Sequence, residues 1–318
     1  MPICFVGKHK RNTFAVYYFT ITLFKVMIKV SDITFGYNRF CENVLQNFSL
    51  HLEKNKIYGL LGKNGTGKST LLYLIAGLLT PLNGHVEMNG TNTAKRGVNT
   101  LSEIYLVPEE FNLPDVSLRE YVRLNAPFYP NFDQALLNRC LSEFELPQDV
   151  HLGRLSMGQR KKAFICFALA TNTRLLLMDE PTNGLDIPSK RQFRRVVSQC
   201  MNEERTIVIS THQVRDVDTL IDHIVMLHGK SLLLDASTAD VCRAISFGQS
   251  HTADAPHTLY AEPTLSGYAV VSRNIEEEDS PLNLELLFNA LQENPEVCTI
   301  IEEAQQKAKR TTDENENA

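Results

Sequence analysis

The sequence predicts an α/β protein with a mainly parallel sheet core, an N-terminal antiparallel β-subdomain and a helical subdomain. Short apolar runs typical of buried strands, such as residues 56–62 (KIYGLLG), alternate with stretches of helical spacing, which favours a parallel sheet. Residues 28–34 and 47–53 instead alternate apolar and polar side chains, which indicates an antiparallel pair. Residues 112–170 contain several helical patterns punctuated by prolines and supply the third part.

Length and composition indicate a globular chain with one large domain or two smaller ones. The 318 residues are 43% hydrophobic and 22% charged, which excludes a globally disordered chain. The 37 acidic and 32 basic residues give a net charge of −5. No nucleic-acid partner is expected, because a large nucleic-acid footprint needs a basic excess. The seven cysteines form no CxxC pair, which argues against a zinc cluster.

The predicted domain covers residues 27–245, and residues 1–26 and 246–318 are interpreted as extensions. Residues 14–24 (FAVYYFTITLF) follow several basic residues, as the apolar part of a signal peptide does, but no small-residue cleavage site follows them. The run is also shorter than the ~18 apolar residues that a membrane span needs. A membrane-surface anchor and an extra packed strand remain alternatives for this segment.

Periodicity places the elements that follow the N-terminal pair. Residues 69–79 (STLLYLIAGLL) have helical spacing directly after a glycine-rich segment. Residues 174–180 (RLLLMDE) and 206–211 (TIVIST) predict buried strands, and residues 223–235 (HIVMLHGKSLLLD) predict two short strands around a turn.

The C-terminal extension has a different character. Residues 247–258 are polar and predict a linker, and residues 258–274 show short apolar alternation. Residues 275–292 predict an acidic turn followed by an amphipathic helix, and the last residues, from 308 on, are expected to be frayed and disordered. The sequence assigns no chemistry to this extension.

A glycine-rich loop between the predicted strand and helix fits the pattern GxxxxGK[ST] of a P-loop NTPase. Its glycines let successive backbone N–H groups point at phosphate oxygens, and the start of the helix adds its positive dipole. Lys68 can reach the β- and γ-phosphates of a nucleotide, and the Ser69 hydroxyl can ligate Mg²⁺. The predicted phosphate-binding residues are Gly62, Lys63, Asn64, Gly65, Thr66, Gly67, Lys68, Ser69 and Thr70.

Asp179 and Glu180 end the predicted strand over residues 174–180, at the edge where α/β sheets bind ligands. Asp179 would hold the Mg²⁺, and Glu180 would polarise the attacking water as general base. Acidic residues after apolar strands are also common as caps. This motif therefore indicates a catalytic site only in combination with the phosphate loop.

A third motif, LSMGQ at residues 155–159, precedes a basic helix and lies 20 residues before the acidic strand. With the phosphate loop, and with PTNGLD after Glu180, it makes residues 27–240 resemble the ABC ATPase family, the nucleotide-binding subunits of ABC transporters, whose pattern is LSGGQ. His212 matches the switch histidine of that family, and Tyr37 matches the aromatic that stacks on adenine. Without the resemblance, His212 is a strand-end histidine, and Tyr37 is a core or turn tyrosine. Phe35 and Phe40 are alternatives for the aromatic that stacks on adenine.

The resemblance implies an ATP hydrolase that uses ATP and Mg²⁺, with Glu180 and His212 as catalytic residues. It also implies that two chains, identical or different, sandwich two ATP molecules. The residues of LSMGQ would complete the site of the other subunit, because a helix start there is a second phosphate-binding device. These residues are Ser156, Met157, Gly158 and Gln159.

The chain departs from the family pattern at two positions. Glu109 stands where the family usually has a Gln that contacts Mg²⁺ and water, and it adds negative charge near the phosphates. We therefore predict slower or more Mg²⁺-dependent turnover than in a Glu109→Gln variant, with a harmless difference as the alternative. Met157 stands in place of Gly, which is tolerable if its side chain points outward and strained if its φ is positive.

The resemblance further implies a separate membrane permease chain and a cytoplasmic location on the inner face of the membrane. YPNFD at residues 129–133 and the LSMGQ-type signature resemble a bacterial branch that often exports. Two alternatives remain, a soluble ABC ATPase with a ribosome- or regulation-related role and a nucleotide-binding regulator that hardly hydrolyses ATP. In the family, the helical subdomain has a groove that receives short helices of the permease. The candidates for that groove, unless they form the core of the helical subdomain, are Phe111, Leu113, Tyr121, Phe128 and Tyr129.

Overall fold

The structure, a computed structural model, describes residues 26–38, 42–275 and 280–316. The apolar run over residues 14–24, Phe40 and part of the predicted acidic turn lie outside the described residues. The strands are β1 (Val26–Phe35), β2 (Leu45–Glu53), β3 (Ile57–Leu61), β4 (Asn83–Met88), β5 (Thr91–Asn92), β6 (Ile104–Val107), β7 (Leu175–Asp179), β8 (Thr206–Thr211), β9 (His223–His228), β10 (Ser231–Ser237), β11 (Ile245–Ser250), β12 (Thr258–Thr264) and β13 (Gly267–Arg273). The helices are α1 (Lys68–Ile75), α2 (Val98–Leu101), α3 (Leu118–Asn125), α4 (Gln134–Glu143), α5 (Met157–Ala170), α6 (Ile187–Gln199), α7 (Thr238–Ala244), α8 (Leu284–Glu293) and α9 (Glu296–Glu316).

The central sheet has six strands in the order β10-β9-β3-β8-β7-β6, and all neighbours are parallel except the β9–β10 pair. Every residue of β3, β7 and β8 is buried, which explains the continuous apolar runs in the sequence. Because these three strands are parallel neighbours, the loops at their carboxyl ends meet at one edge of the sheet. Those loops contain the phosphate loop, the acidic pair and His212.

A second, antiparallel sheet with the order β2-β1-β4-β5 covers the N-terminal part. Its buried pairs, such as Val30 opposite Leu50 and Ile33 opposite Phe48, pack in one apolar cluster with α1 and β3. The parallel core, the antiparallel subdomain and the helical subdomain are therefore confirmed. The sequence missed that β4 and β5 complete the antiparallel sheet.

Aromatic side chains of the helical subdomain pack around Phe167 of α5, within the apolar core that also contains the central sheet. The ring centroids of Tyr121 and Phe132 lie 5.0 and 5.5 Å from that of Phe167. Tyr129 packs edge-on against Tyr105 of β6 with centroids 5.2 Å apart. Tyr121 and Tyr129, two of the candidates for the permease groove, therefore pack against this core, whereas Phe128 is exposed.

In the part that the structure describes, the C-terminal extension contains three strands and two helices, and β12, β13 and α8 lie where the sequence predicts apolar alternation and an amphipathic helix. Residues 245–250, partly within the predicted linker, form β11, because Ile245 and Phe247 bury alternate positions while the strand pairs with β13. The three strands have the order β11-β13-β12. α9 begins with the buried Val297 and Ile301 and continues to Glu316, and the fraying of the last residues stays a prediction.

Candidate active site

The phosphate loop joins β3 to α1 and has the backbone that its motif requires. Gly65 and Gly67 have φ of 82° and 91°, in the left-handed region that favours glycine. A Cβ on Gly67 would lie 2.9 Å from Val44 Cγ1, so close packing against the N-terminal part also requires glycine there. α1 begins at Lys68 with Gly67 as its N-cap, and its first N–H groups therefore face the loop.

The buried Lys68 side chain lies within this loop. Its Nζ donates to the carbonyl oxygens of Gly62 at 2.8 Å and Lys63 at 3.2 Å. Burial lowers the pKa of the Lys68 ammonium, while nearby carboxylates, chiefly that of Glu180, oppose the shift. An ammonium held only by backbone carbonyls can exchange one of them for a phosphate oxygen, which binds it more strongly because that oxygen is charged.

Tyr37 lies beside α1 with its ring open to solvent. It is 64% exposed, and its hydroxyl oxygen lies 3.0 Å from Thr70 Oγ1. Its ring meets the buried Phe35 ring edge-on at 5.1 Å between centroids. An exposed aromatic face next to a phosphate loop suits stacking on a base, whereas the buried Phe35 has no face to offer.

The carboxyl ends of β7 and β8 bring the predicted catalytic pair together. Glu180 Oε1 accepts from the His212 backbone N–H at 3.0 Å and lies 2.7 Å from His212 Nδ1. Glu180 Oε2 accepts from Thr211 Oγ1 at 3.0 Å. Asp179 accepts a hydrogen bond from Ser210 Oγ. The side chain of Glu180 is thus buried and fixed in direction, while that of His212 remains about one-third exposed.

The backbone of Glu180 is strained. Its φ is 45°, which is uncommon for a residue with a side chain. The Glu180 N–H donates to the Ser210 carbonyl oxygen at 3.0 Å, which keeps this residue attached to β8.

Lys161 of α5 is a site residue that the sequence reasoning missed. Its Nζ donates to the carbonyl oxygens of Glu180 at 3.0 Å and Asn183 at 2.9 Å. Lys161 is 5% exposed, and burial lowers its pKa, while nearby carboxylates, Glu109 first, oppose that shift. Lys161 therefore clamps the loop after β7, which we call the PTNGLD loop (residues 181–186), from beneath.

Glu109 follows β6 and reaches the same loop. Its Oε1 accepts from Asn183 Nδ2 at 3.0 Å. It also raises the pKa of both Lys68 and Lys161, in each case against the larger lowering by burial. Glu109 thus brings a negative charge to the site, as its sequence position predicted.

The signature segment 156–159 forms the start of α5. Ser156 Oγ accepts from the Gln159 N–H at 3.3 Å, and the Ser156 N–H donates to Gln159 Oε1 at 3.1 Å, which completes a capping box. Met157 is the first helical residue, has no positive φ and is 82% exposed. The outward alternative for Met157 therefore holds and the strained one is wrong. A Cβ on Gly158 would lie 3.7 Å from the Gly184 carbonyl oxygen, so this segment borders the PTNGLD loop.

Within the described residues, no hydrogen bond or ion pair joins the signature segment to the phosphate loop of the same chain. The signature segment and the phosphate loop are therefore separate in the structure of one chain.

The residues predicted to ligate Mg²⁺ fit that ion. Ser69 lies in the first turn of α1, and α1 packs against β7, which ends at Asp179. Ser210 takes Oδ1 of the buried Asp179 carboxylate, which leaves Oδ2 as the ligand atom. A hydroxyl and a carboxylate oxygen are ligands that Mg²⁺ prefers.

The fold and the site together define a P-loop nucleotide-binding protein. The family model described as ABC transporter matches residues 45–183. The manganese transport system ATP-binding protein MntA of Synechocystis is 31% identical over 232 residues, which cover 69% of this chain and 87% of MntA. The bacitracin transport ATP-binding protein BcrA of Bacillus licheniformis is 29% identical over 211 residues, 65% of this chain and 68% of BcrA. The chain belongs to the family of ABC transporter ATP-binding proteins, which bind and hydrolyse ATP.

Solved structures agree with this assignment. A structure described as the ATP-binding subunit of an ABC transporter has a TM-score of 0.61 at 27% identity, covering 68% of this chain and 92% of that one. A dimeric ATP-binding cassette in a post-hydrolysis state, bound to ADP and Pi, has a TM-score of 0.58 at 25% identity, covering 66% and 98%. The predicted fold class and family are confirmed.

Proposed function

We propose that this chain hydrolyses ATP to power transport through a separate membrane permease. The observation that carries the proposal is the convergence of the phosphate loop, Asp179 and the hydrogen-bonded Glu180–His212 pair at the carboxyl edge of one sheet. Each of these groups has a partner that fixes its direction, which is the preorganisation that phosphoryl transfer requires.

Each residue of the site has a separate role in the proposed hydrolysis. Lys68 and the N–H groups of the phosphate loop hold the phosphates, and Tyr37 stacks on the adenine. Bound through Ser69 and Asp179, Mg²⁺ would neutralise charge on the phosphate oxygens. Glu180 orients the attacking water and accepts its proton.

His212 completes this arrangement from the side of β8. Its Nδ1 faces Glu180, so Nε2 is the nitrogen that remains to hydrogen-bond the γ-phosphate. That contact would keep the water and the phosphate in line.

We propose that the working unit is a dimer of ATP-binding subunits, identical or different. The signature residues Ser156–Gln159 are separate from the chain's own phosphate loop, and Ser156 begins a 14-residue helix whose N-terminus favours an anion. A partner's nucleotide is the ligand that this segment would bind. The dimeric cassette among the similar structures supports this arrangement.

The permease would dock on the helical subdomain from the cytoplasmic side of the membrane. A groove of about 390 Å³ lies between α3 and α4, and both apolar and polar side chains line it: Leu118, Val122, Leu137 and Leu141 together with Arg119, Gln134, Asn138, Gln148 and Asp149. A groove of this kind accepts an amphipathic helix. No helix among the described residues is long and apolar enough to cross a membrane.

The direction we propose is export, supported by the resemblance of the YPNFD segment and the signature to an exporting branch. The relatives include a bacitracin transport protein and also a zinc uptake protein of Listeria innocua. Transport assays in inverted vesicles and in right-side-out vesicles distinguish the two directions. Accumulation of the transported compound only in right-side-out vesicles would show import and contradict export.

The decisive experiment combines turnover with co-purification. We expect Mg²⁺-dependent ATP hydrolysis by the chain with its membrane partner and loss of that hydrolysis in Glu180→Gln, with ATP binding retained. Mild-detergent extraction should recover a multi-span membrane protein in near-equal amount. Hydrolysis together with a soluble complex and no membrane protein would instead establish a non-transport ATPase.

A further inference from the structure

The first helix of the C-terminal extension, α8, lies against the loop that carries His212. We call residues 212–216 the switch loop. A cavity of about 230 Å³ opens where this loop, the phosphate loop and α8 meet. It is lined by Gly62, Lys63, Asn64, His212, Val214 and Phe288. An aromatic side chain of the extension therefore forms one wall of a cavity whose other walls belong to the ATP site.

The switch loop is held from two sides. On one side, Lys190 of α6 donates to Gln213 Oε1 at 3.0 Å and lies 2.7 Å from Asp216 Oδ2. On the other side, Arg215 forms an ion pair with Glu285 of α8. The Lys190 contacts are mostly shielded from water, whereas the Arg215–Glu285 pair is exposed and contributes less.

The position of Phe288 is set by the burial of its own helix. Leu284, Leu287 and Leu291 of α8 are buried in the same apolar core as β8 and β9. Phe288 is only partly buried and packs at the margin of that core. Because the leucines fix α8, they also fix the place from which the Phe288 side chain reaches the cavity.

The switch loop needs such a wall because its task depends on short distances. His212 Nδ1 lies 2.7 Å from Glu180 Oε1, and the His212 N–H donates to the same oxygen at 3.0 Å. An outward shift of the loop by an ångström would break both contacts. Val214, two residues further on, lines the same cavity as Phe288. The short helix that begins at Val214 contacts α8, so α8 limits such a shift at this point.

We propose that Phe288 is a positioning residue for ATP hydrolysis: through Val214, and supported by the Arg215–Glu285 ion pair, it keeps the switch loop seated so that His212 stays against Glu180. The proposal rests on the proposed function, since it gives the C-terminal extension a role in that same site. Phe288 acts on the loop and not on the nucleotide, so it should affect turnover more than ATP binding.

The test compares Phe288→Ala with Phe288→Leu in the full chain with its permease. The alanine variant should lower kcat about fivefold and leave the KM for ATP within about twofold, a loss of about 1 kcal/mol in transition-state stabilisation. The leucine variant keeps apolar bulk and should retain at least about half of kcat. Tyr260→Ala is the matched control, because Tyr260 is a partly buried aromatic of the extension that does not line the cavity.

Hydrogen exchange supplies a readout that does not depend on turnover. The His212 amide is protected by Glu180, so peptides that contain residues 211–217 should exchange faster in Phe288→Ala than in the unmodified chain. They should exchange at the unmodified rate in Tyr260→Ala. Charge reversal adds a second check: Glu285→Arg should accelerate exchange modestly, and the addition of Arg215→Glu should reverse that change.

The outcomes separate this inference from the proposed function. If the unmodified chain shows no hydrolysis that Glu180→Gln abolishes, the proposed function fails. If that hydrolysis is present but Phe288→Ala keeps full kcat and normal exchange, the role of Phe288 alone is refuted. A rise in KM with unchanged kcat, or an equal loss of kcat in Tyr260→Ala, would also overturn it.

Discussion

Replacing Lys161 with Met should slow hydrolysis by loosening the loop that carries Glu180. The Lys161 ammonium is buried and donates to the carbonyl oxygens of Glu180 and Asn183 at 3.0 and 2.9 Å. Methionine fills a similar volume but donates no hydrogen bond, so both carbonyls lose the Lys161 ammonium. The Glu180 carbonyl oxygen then keeps only the Asn183 N–H, at 3.2 Å. Glu180 has a φ of 45°, and a strained residue relaxes when its surroundings no longer hold it in place.

The magnitude follows from these two contacts. A hydrogen bond from a charged donor contributes about 1.5–3 kcal/mol, and removing the ammonium also relieves the cost of burying it, so we expect a net loss of about 2–3 kcal/mol in the free energy of unfolding. If about 1.4–2.7 kcal/mol of this free energy also stabilises the transition state of hydrolysis, its loss lowers kcat about 10- to 100-fold.

The assay is steady-state turnover together with urea unfolding of three variants. Lys161→Arg keeps the charge and the donors and should restore part of kcat. Lys162→Met is the matched control, because the neighbouring Lys162 contacts Gln192 and the Phe144 ring on another face of α5. A Lys161→Met protein that folds and turns over within about twofold of the unmodified rate would refute the clamp.

Three further changes have expected outcomes. Glu109→Gln preserves an oxygen for Asn183 and removes a charge from the site, so turnover should rise and depend less on Mg²⁺; equal rates across Mg²⁺ concentrations would show a harmless difference. Met157→Gly should lower the free energy of unfolding by less than about 1 kcal/mol, since glycine disfavours a helix; a higher free energy of unfolding, measured with urea, would instead reveal strain at Met157. Burial and Glu302 raise the pKa of the Cys298 thiol from 9.0 to about 11, so the folded chain keeps a proton that the unfolded chain releases, and stability falls as pH rises from about 9 to about 11. Cys298→Ala should show a shallower fall over that range in unfolding experiments, and an identical fall would contradict the assignment.

The parts of the site that the sequence revealed are those whose chemistry is local. The phosphate loop needs glycines and a lysine within eight consecutive residues, and Asp179 and Glu180 directly follow their strand. These motifs can therefore be recognised without knowledge of the fold. The role of His212 could be predicted only from the family resemblance. Its contact with Glu180 joins the ends of two strands, and the two residues are 32 positions apart in the sequence.

Lys161 shows why the remainder could not be predicted. It lies in the run Arg160-Lys161-Lys162, and a basic run on a helix is usually a solvated face. Only the packing of α5 beneath the PTNGLD loop distinguishes the buried middle lysine from its neighbours. The aromatic residues of the helical subdomain were ambiguous for a related reason, since a groove and a core select the same residue types.

The C-terminal extension was the least predictable part because its contribution is entirely non-local. Its polar stretch conceals β11, whose pairing with β13 depends on a strand more than 15 residues away. Phe288 looked like one apolar position of an amphipathic helix, yet α8 places it beside Asn64 and His212. Three separate segments, α5 through Lys161, α6 through Lys190 and α8 through Glu285, thus contact the two loops that position Glu180 and His212. Since the proposed hydrolysis needs both loops to be seated at once, we expect a displacement of any one of these helices to slow it, even where that helix does not touch the nucleotide.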